Sequence, residues 1–545
     1  MMARSLVTVL VAVLALTGSS VSSGPAAESP TLHAQPTFFI SGRGWGHGLG
    51  LSQYGAYGYA QHGWKYDRIV KHYYTGVTLG QASIKRVRVL LGDGVGRTTI
   101  SSKQAFKVVD AAGKSIVLDA GSYTVGPAFK AKDPDDPTAK PQPLAYPIEF
   151  RPGSSALALN GRGYRGSLRV LKTGSKAGSK IRVVNVLDLD LYLRGVVPSE
   201  MPRDWASEAL KAQAVAARSY ALSHLHTGGG FDLYPDTRDQ VYLGIPHEAP
   251  TTTAAVNATA GVVALYKGKV ARTYFFSTSG GRTASVQDLY PNSPPVPYLV
   301  SVPDKYDSIS PYHEWGPYQF PQRKLTRALK AAGKLLDVQT VAGTSGRVRT
   351  VVAVGSEGET TVDGAAVRHA LGLRSTWFRV GVLALGAPPQ PVAYGTATAL
   401  PGKARGVASV ELQQRDTGAW RTVAKLTPRG GSVAARIKPT ASSRFRLAVG
   451  EIATTPVAVA VARSVRLHVP NDLTGFWGTV KPRAPGVRVQ VQRQAGPGWR
   501  TVATATTTAR GRFIVARAIT PGTYRVRIPA GAGFATSLSK PVAVS

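Results

Sequence analysis

Residues 190–222 read DLYLRGVVPSEMPRDWASEALKAQAVAARSYAL, and the pattern of the chain changes within them. From Ser207 the sequence is rich in Ala, Leu, Lys and Gln, runs on to His226, and closes on Gly228-Gly229-Gly230. Strong helix formers with a serine at the start and glycines after the end predict a helix over 207–226, with Ser207 as its N-cap. Just upstream, Gly195-Val196-Val197 reads as the apolar end of a strand that Pro202 breaks. Glu200 would then sit at a strand-to-helix corner beside Val197, Met201 and Trp205. Desolvation there raises a carboxyl pKa toward neutrality, where it can act as a general acid. A solvated loop glutamate fits the same residues, so both readings stand at this point. Lys211 and Arg218, seven apart, project from one face of the predicted helix with Val215 between them. They fit a solvated basic stripe or a pair of cations that bind polar or anionic sugar groups.

Outward from this stretch, short alternating runs separated by Gly, Asp and Lys turns fill residues 84–185, the pattern of antiparallel strands. Asp188 and Asp190 fall on alternating strand positions and read as structural. Strands and loops return over 262–281, and helical stretches follow at 324–333 and 364–373. The fold class expected is α+β, a β-rich lobe beside a central helix. Ser277, Thr278 and Ser279 precede Gly280-Gly281; with no base marked for them, they read as a sugar-contacting loop more readily than as nucleophiles.

Residues 192–202 (YLRGVVPSEMP) and 208–222 (EALKAQAVAARSYAL) together resemble the signature of the SpoIID/LytB family of sporulation stage II protein D and amidase-enhancer proteins. Residues 276–285 (FSTSGGRTAS), 297–304 (PYLVSVPD), Ser310-Pro311 and 368–378 (RHALGLRSTWF) continue the resemblance in order, over roughly residues 84–380. It implies lytic transglycosylation of peptidoglycan between MurNAc and GlcNAc, with Glu200 as the catalytic acid/base and Lys211 and Arg218 as basic positions of the active-site helix. One carboxylate suffices for that chemistry, whereas most hydrolases need two. The family's other branch implies a non-catalytic wall-binding protein that stimulates a cell-wall amidase, and the motifs do not separate the two. Zinc-binding relatives carry cysteines and a histidine in the segment matching residues 231–244, where this chain has Tyr234, Arg238 and Asp239. No metal and no cofactor is expected.

Residues 40–56, ISGRGWGHGLGLSQYGA, place glycine at every second position from 42 to 50. No phosphate-loop register fits. Alternating glycine in an extended segment would leave one bare face for close approach. In the family this motif ordinarily closes the domain after the LGL-ST-F segment; here it stands first, which implies a circular permutation. Residues 36–80 should then fold back beside Phe378, with His47, Ser52 and Gln53 lining the Glu200 cleft as glycan-positioning residues.

The 545 residues predict several domains. Residues 1–27 carry Arg4, an apolar run from Leu6 to Leu16 and small residues suited to signal cleavage, a run too short for the about 20 residues of a membrane span. A secreted, wall-located protein without an integral span is expected. There is no cysteine, which excludes disulfides and thiolate chemistry, and 66 Lys+Arg against 30 Asp+Glu give a formal charge of +36. Such a charge implies a polyanionic surrounding, nucleic acid or an acidic envelope polymer; for an exported protein with no nucleic-acid module in its sequence the expected partners are anionic wall polymers, to which the resemblance adds peptidoglycan glycan strands. After the Pro388-Pro389-Gln390-Pro391 linker, residues 410–424 repeat as 489–503, with Trp420 and Trp499 equivalent. Two small β-sandwiches over 390–462 and 463–545 are expected, with these tryptophans in their cores.

Overall fold

A computed structural model describes residues 35–132, 138–174, 178–226 and 228–545. The signal reading of residues 1–27 lies outside them. The fold is mixed, strand-rich with eight α-helices among the described residues.

The first lobe is built on a six-stranded antiparallel sheet ordered Arg86–Val95, Lys180–Asp188, Ser167–Thr173, Ile148–Arg151, Phe106–Val109, Ser115–Leu118. Period-two alternation sends Ile148 and Phe150 inward and Glu149 and Arg151 outward. A four-stranded sheet shares this core through Ile100, Val125, Leu157 and Tyr164.

The strand ending at Asp188 runs straight into helix α3, Leu189–Glu200. This corrects the reading of 195–197 as a strand end. Buried Leu189, Tyr192, Leu193, Val196 and Val197 recur at helical spacing, a pattern the β-branched pair had masked. Pro198 is tolerated in the last turn, and Met201 is already extended before Pro202, so Glu200 is the final helical residue. Helix α4, Ser207–Ser223, starts with Ser207 inside the helix, not as its cap, and stops three residues short of His226. Ala209, Ala212, Ala214, Ala216, Ala217 and Ala221 are buried all round it, which lets α3 and the N-terminal helices approach from several sides.

Strand β1, Thr37–Arg43, lies antiparallel between Glu314–Phe320 and Phe378–Leu385, with Ile40 opposite Val380 and Gly42 opposite Phe378. Helices α1, Gln53–Gln61, and α2, Tyr66–Tyr73, follow and pack on α4. The sheet continues from Phe378–Leu385 to Thr398–Arg405 and Ser432–Ile437. Phe39, Leu383 and Leu385 thereby share a core with Leu400, Leu412, Phe445 and Leu447, so the Pro388–Pro391 segment connects strands of one sheet.

The two C-terminal repeats are sandwich-like and pair their strands alike. Val410–Arg415 lies between Arg421–Leu426 and Ser443–Val449, as Arg488–Ala495 lies between Gly498–Thr506 and Gly522–Ile528. Trp420 and Trp499 are not core residues. Each is half-buried under a guanidinium, Arg446 at 4.3 Å and Arg525 at 4.1 Å from the ring centroid. Those arginines are held by Gln413 and Gln492 through Nε bonds of 2.9 and 3.0 Å, so the repeat preserves a surface Arg-Gln-Trp stack.

Candidate active site

Glu200 closes α3 where the chain cannot continue as helix, and its carboxyl faces the 231–244 loop. Oε1 accepts the Val241 N–H at 3.3 Å. Burial pushes the Glu200 pKa up, and this one neutral donor opposes the shift. No cation pairs with Glu200 among the described residues. The two expected beside it are each matched elsewhere. Lys211 Nζ lies 2.7 Å from Glu208, whose other oxygen accepts the Tyr66 N–H at the start of α2. Arg218 is wholly buried, bonded to Asp190 at 2.6 and 2.8 Å and to the Val262 carbonyl at 2.9 Å. Arg218 therefore fastens α4 to α3 and is not open to a ligand; its expected binding role is corrected. Asp190 is structural, as its counterpart.

The glycine-rich block does reach this site. Gln53 Nε2 donates to the Glu200 backbone oxygen at 2.9 Å and lies 3.4 Å from Gln213 Oε1 on α4. Gln213 and Gln240, next to Val241, are buried, and the Nε2 of each lacks a partner. The Tyr192 hydroxyl donates to Gln240 Oε1 at 3.3 Å.

Other expected site residues prove structural. Ser52 is fully buried; its Oγ caps α1 through Gly55 N–H and donates to Asp307 Oδ1 at 3.0 Å. Asp307 also accepts the N–H groups of Ser279 and Gly280, both at 2.8 Å, and faces His313 Nδ1 at 2.9 Å. Thr278 and Ser279 are buried, with Thr278 Oγ1 2.8 Å from Ser310 Oγ. The reading of Thr278 and Ser279 as sugar contacts is corrected; they belong to the turn packed around Asp307 and Ser310. Ser277 alone of the run keeps partial exposure. His47 accepts the Leu49 N–H on Nδ1 at 3.0 Å and packs on Tyr274 and Phe276. Burial, then the charges of Arg347 and Arg368, lower its pKa to about 4, so it is neutral, and none of its contacts is Glu200.

The block is extended only as far as Arg43; from Gly44 it departs from the strand that the alternation suggested. Gly48 (φ 95°) and Gly50 (φ 72°) are left-handed, and a Cβ would lie 2.5 Å from Arg347 Cζ at the first and 2.1 Å from the Tyr274 carbonyl at the second. Glycine there permits tight coiling against buried neighbours.

Sequence reasoning missed Tyr54, Tyr312 and Trp45 near the Ser277 loop, and took Trp205 only as an apolar neighbour of Glu200. Trp205 meets Tyr54 edge-on at 4.7 Å, and Trp45, 41% exposed, meets Tyr312 at 4.5 Å. Tyr54 and Trp45 both lie within the glycine-rich motif, and Trp205 follows Glu200 by five positions. In the 231–244 segment Asp239 accepts the Tyr234 N–H and faces His226 at 3.0 Å, while Arg238 pairs with Asp236 at 2.6 Å.

Residues 177–266, which include Glu200, all of α3 and α4 and the Val241 loop, match the family model SpoIID, described as Stage II sporulation protein. That segment is similar to SpoIID. An uncharacterized protein of Brachyspira hyodysenteriae is 42% identical over 147 residues, 26% of this chain and 38% of its own. The Amidase enhancer of Bacillus subtilis is 40% identical over 116 residues, 21% of this chain and 15% of its own. Stage II sporulation protein D of Bacillus amyloliquefaciens is 32% identical over 214 residues, 36% of this chain and 60% of its own. The chain thus spans less than two thirds of each relative. The family named from the SpoIID motifs is the one that matches. No described helix is long and apolar enough to cross a membrane.

Proposed function

We propose that this protein is an exported, wall-associated peptidoglycan lytic transglycosylase that uses Glu200 as its only acid/base. The observation that carries the reading is a carboxyl raised by burial, touched by one neutral N–H and left without a paired cation. Such a group holds a proton to give away. Protonated Glu200 donates to the glycosidic oxygen as the bond from MurNAc C1 to that oxygen breaks. The C6 hydroxyl of the same MurNAc then forms the new bond to C1, and its proton returns to Glu200. The products are a free GlcNAc hydroxyl and a 1,6-anhydroMurNAc end. No water and no second carboxylate enter the balance.

The glycine-rich block completes the catalytic unit from the N-terminal side. Circular permutation accounts for its place in the chain, supported by the pairing of β1 with Phe378–Leu385. Residues 36–80 and 84–380 form that unit, and 390–462 and 463–545 serve the wall, whose anionic polymers suit the charge of +36.

A second reading is favoured by the 40% identity to the Amidase enhancer: a non-catalytic wall-binding protein that stimulates a cell-wall amidase. Incubation with glycan strands stripped of stem peptides, followed by mass spectrometry for 1,6-anhydro products, decides between them. Products from the wild type and none from Glu200→Gln support catalysis. No product from the wild type leaves the enhancer reading.

A further inference from the structure

Aromatic side chains are gathered around the Ser277–Thr278 loop, and the backbone explains how. Tyr54 N–H donates to the Ser277 carbonyl at 3.0 Å, while Trp45 and Thr278 exchange backbone bonds of 2.8 and 3.0 Å. Consecutive residues of one loop therefore hold Tyr54 and Trp45 side by side. Trp205 stacks on Tyr57 with ring centroids 4.6 Å apart and planes 10° apart, and meets Tyr54 edge-on. Tyr54 adjoins Gln53, whose amide grips the Glu200 carbonyl. Burial first, and then the neighbouring Tyr312 phenol, disfavours ionisation of Tyr54, and Tyr312 meets Trp45 edge-on. Arg374 closes the far end, its guanidinium 4.4 Å from the Tyr312 centroid and 5.3 Å from that of Trp45.

Trp205 and Tyr54 touch at the end tied to Glu200 through Gln53, and Tyr312, Trp45 and Arg374 touch one another beyond them. Exposed tryptophan is uncommon, and a run of partly exposed aromatic rings with hydroxyl tips fits a ligand that has apolar faces and a polar rim. Pyranose rings have both. A polyanion would need several free cations here. Arg43, the other guanidinium nearby, is paired with Glu314, and Arg374 is the one left without an ion pair among the described residues of this row.

The geometry points to a sugar-binding track in which Trp205, Tyr54, Tyr312 and Trp45 form successive subsites that stack on the apolar faces of the sugars of a glycan strand leading away from Glu200. It rests on the glycan reading of Glu200 and adds that the enzyme grips a strand several sugars long on one side of the cut. The permuted block supplies two of the four rings, so the N-terminal segment contributes to substrate length selection as well as to holding Glu200.

The test uses the full chain with Glu200→Gln, which binds without turnover, titrated by calorimetry with chitin di- and hexasaccharides. The hexasaccharide should bind more tightly than the disaccharide. Adding Trp45→Ala should weaken the hexasaccharide roughly three- to tenfold and leave the disaccharide unchanged. Trp45→Phe should restore most of the loss, which separates stacking from misfolding, and Tyr312→Ala should repeat it. Equal hexasaccharide affinity with and without Trp45, or no preference for length, overturns the track. If wild-type enzyme still releases anhydro products in that case, the track alone falls; if it releases none, the glycan-cleaving reading falls separately.

Discussion

Gln53 donates its side-chain amide to the backbone carbonyl of Glu200 at 2.9 Å, across 147 positions of sequence. The bond ties the first turn of α1 to the last residue of α3, where the carbonyls of a helix end lack intrahelical partners. It fixes the direction in which the Glu200 side chain leaves the helix. Gln53→Ala is expected to lower kcat on glycan strands between about ten- and a hundredfold with little change in KM. Folding stability should fall by only about 1 kcal/mol, so steady-state kinetics and a thermal melt on one preparation separate positioning from unfolding.

Arg218 carries the opposite expectation. Its guanidinium is fully buried against Asp190, whose side chain is 32% exposed. Arg218→Leu removes one partner of the pair and should cost about 3 kcal/mol of stability in urea denaturation. A substrate-binding Arg218 would instead raise KM and leave the denaturation midpoint in place.

Asp304 links the N-terminal block to pH. Burial first, and then the charge of Asp307, raise its pKa to about 7, and the Tyr73 hydroxyl donates to its Oδ1 at 2.9 Å. In the unfolded chain it ionises near 3.8. The folded form holds the extra proton between those values, so this stabilisation is complete below the unfolded pKa and is lost as pH rises through about 7. Denaturation midpoints should decline over that window, and Asp304→Asn should flatten the slope. An unchanged slope in the variant would assign the pH dependence to another group.

The C-terminal repeats differ in how they can be removed. Truncation after residue 462 should leave a folded protein, because Phe39, Leu383 and Leu385 keep their partners Leu400, Leu412, Phe445 and Leu447. Truncation before residue 390 uncovers those three side chains, each worth about 1.5–3 kcal/mol when buried, and should lower the melting temperature sharply or abolish soluble expression. Calorimetry of the two truncations compares them directly.

Much of this was legible in sequence where a pattern is local. The Ala-rich stretch of α4 and the alternating strands of the first lobe follow from spacing. The corner at Glu200 was located correctly in the chain but misread in conformation, since Val196 and Val197 favour strands one by one while the 189–197 pattern has helical period. Partners distant in sequence could not be read. Nothing near Arg218 says that Asp190 neutralises it, and nothing near Ser52 or Ser279 says that Asp307 takes both. The repeated tryptophans carried a signal that was passed over: Gln413 and Arg446 repeat as Gln492 and Arg525, which marks a surface stack and not a core.

The central claim is that Glu200 alone moves the proton. Its raised pKa means the acid form persists above the usual glutamate range, so activity should fade as pH rises through that raised value. The most direct measurement is product analysis by mass spectrometry of peptide-free glycan strands treated with wild type and with Glu200→Gln under identical conditions. Chains ending in 1,6-anhydroMurNAc from the wild type, and at least about a thousandfold less from the variant, are the predicted result. Reducing ends in place of anhydro ends, or equal yields from the two proteins, would contradict the account.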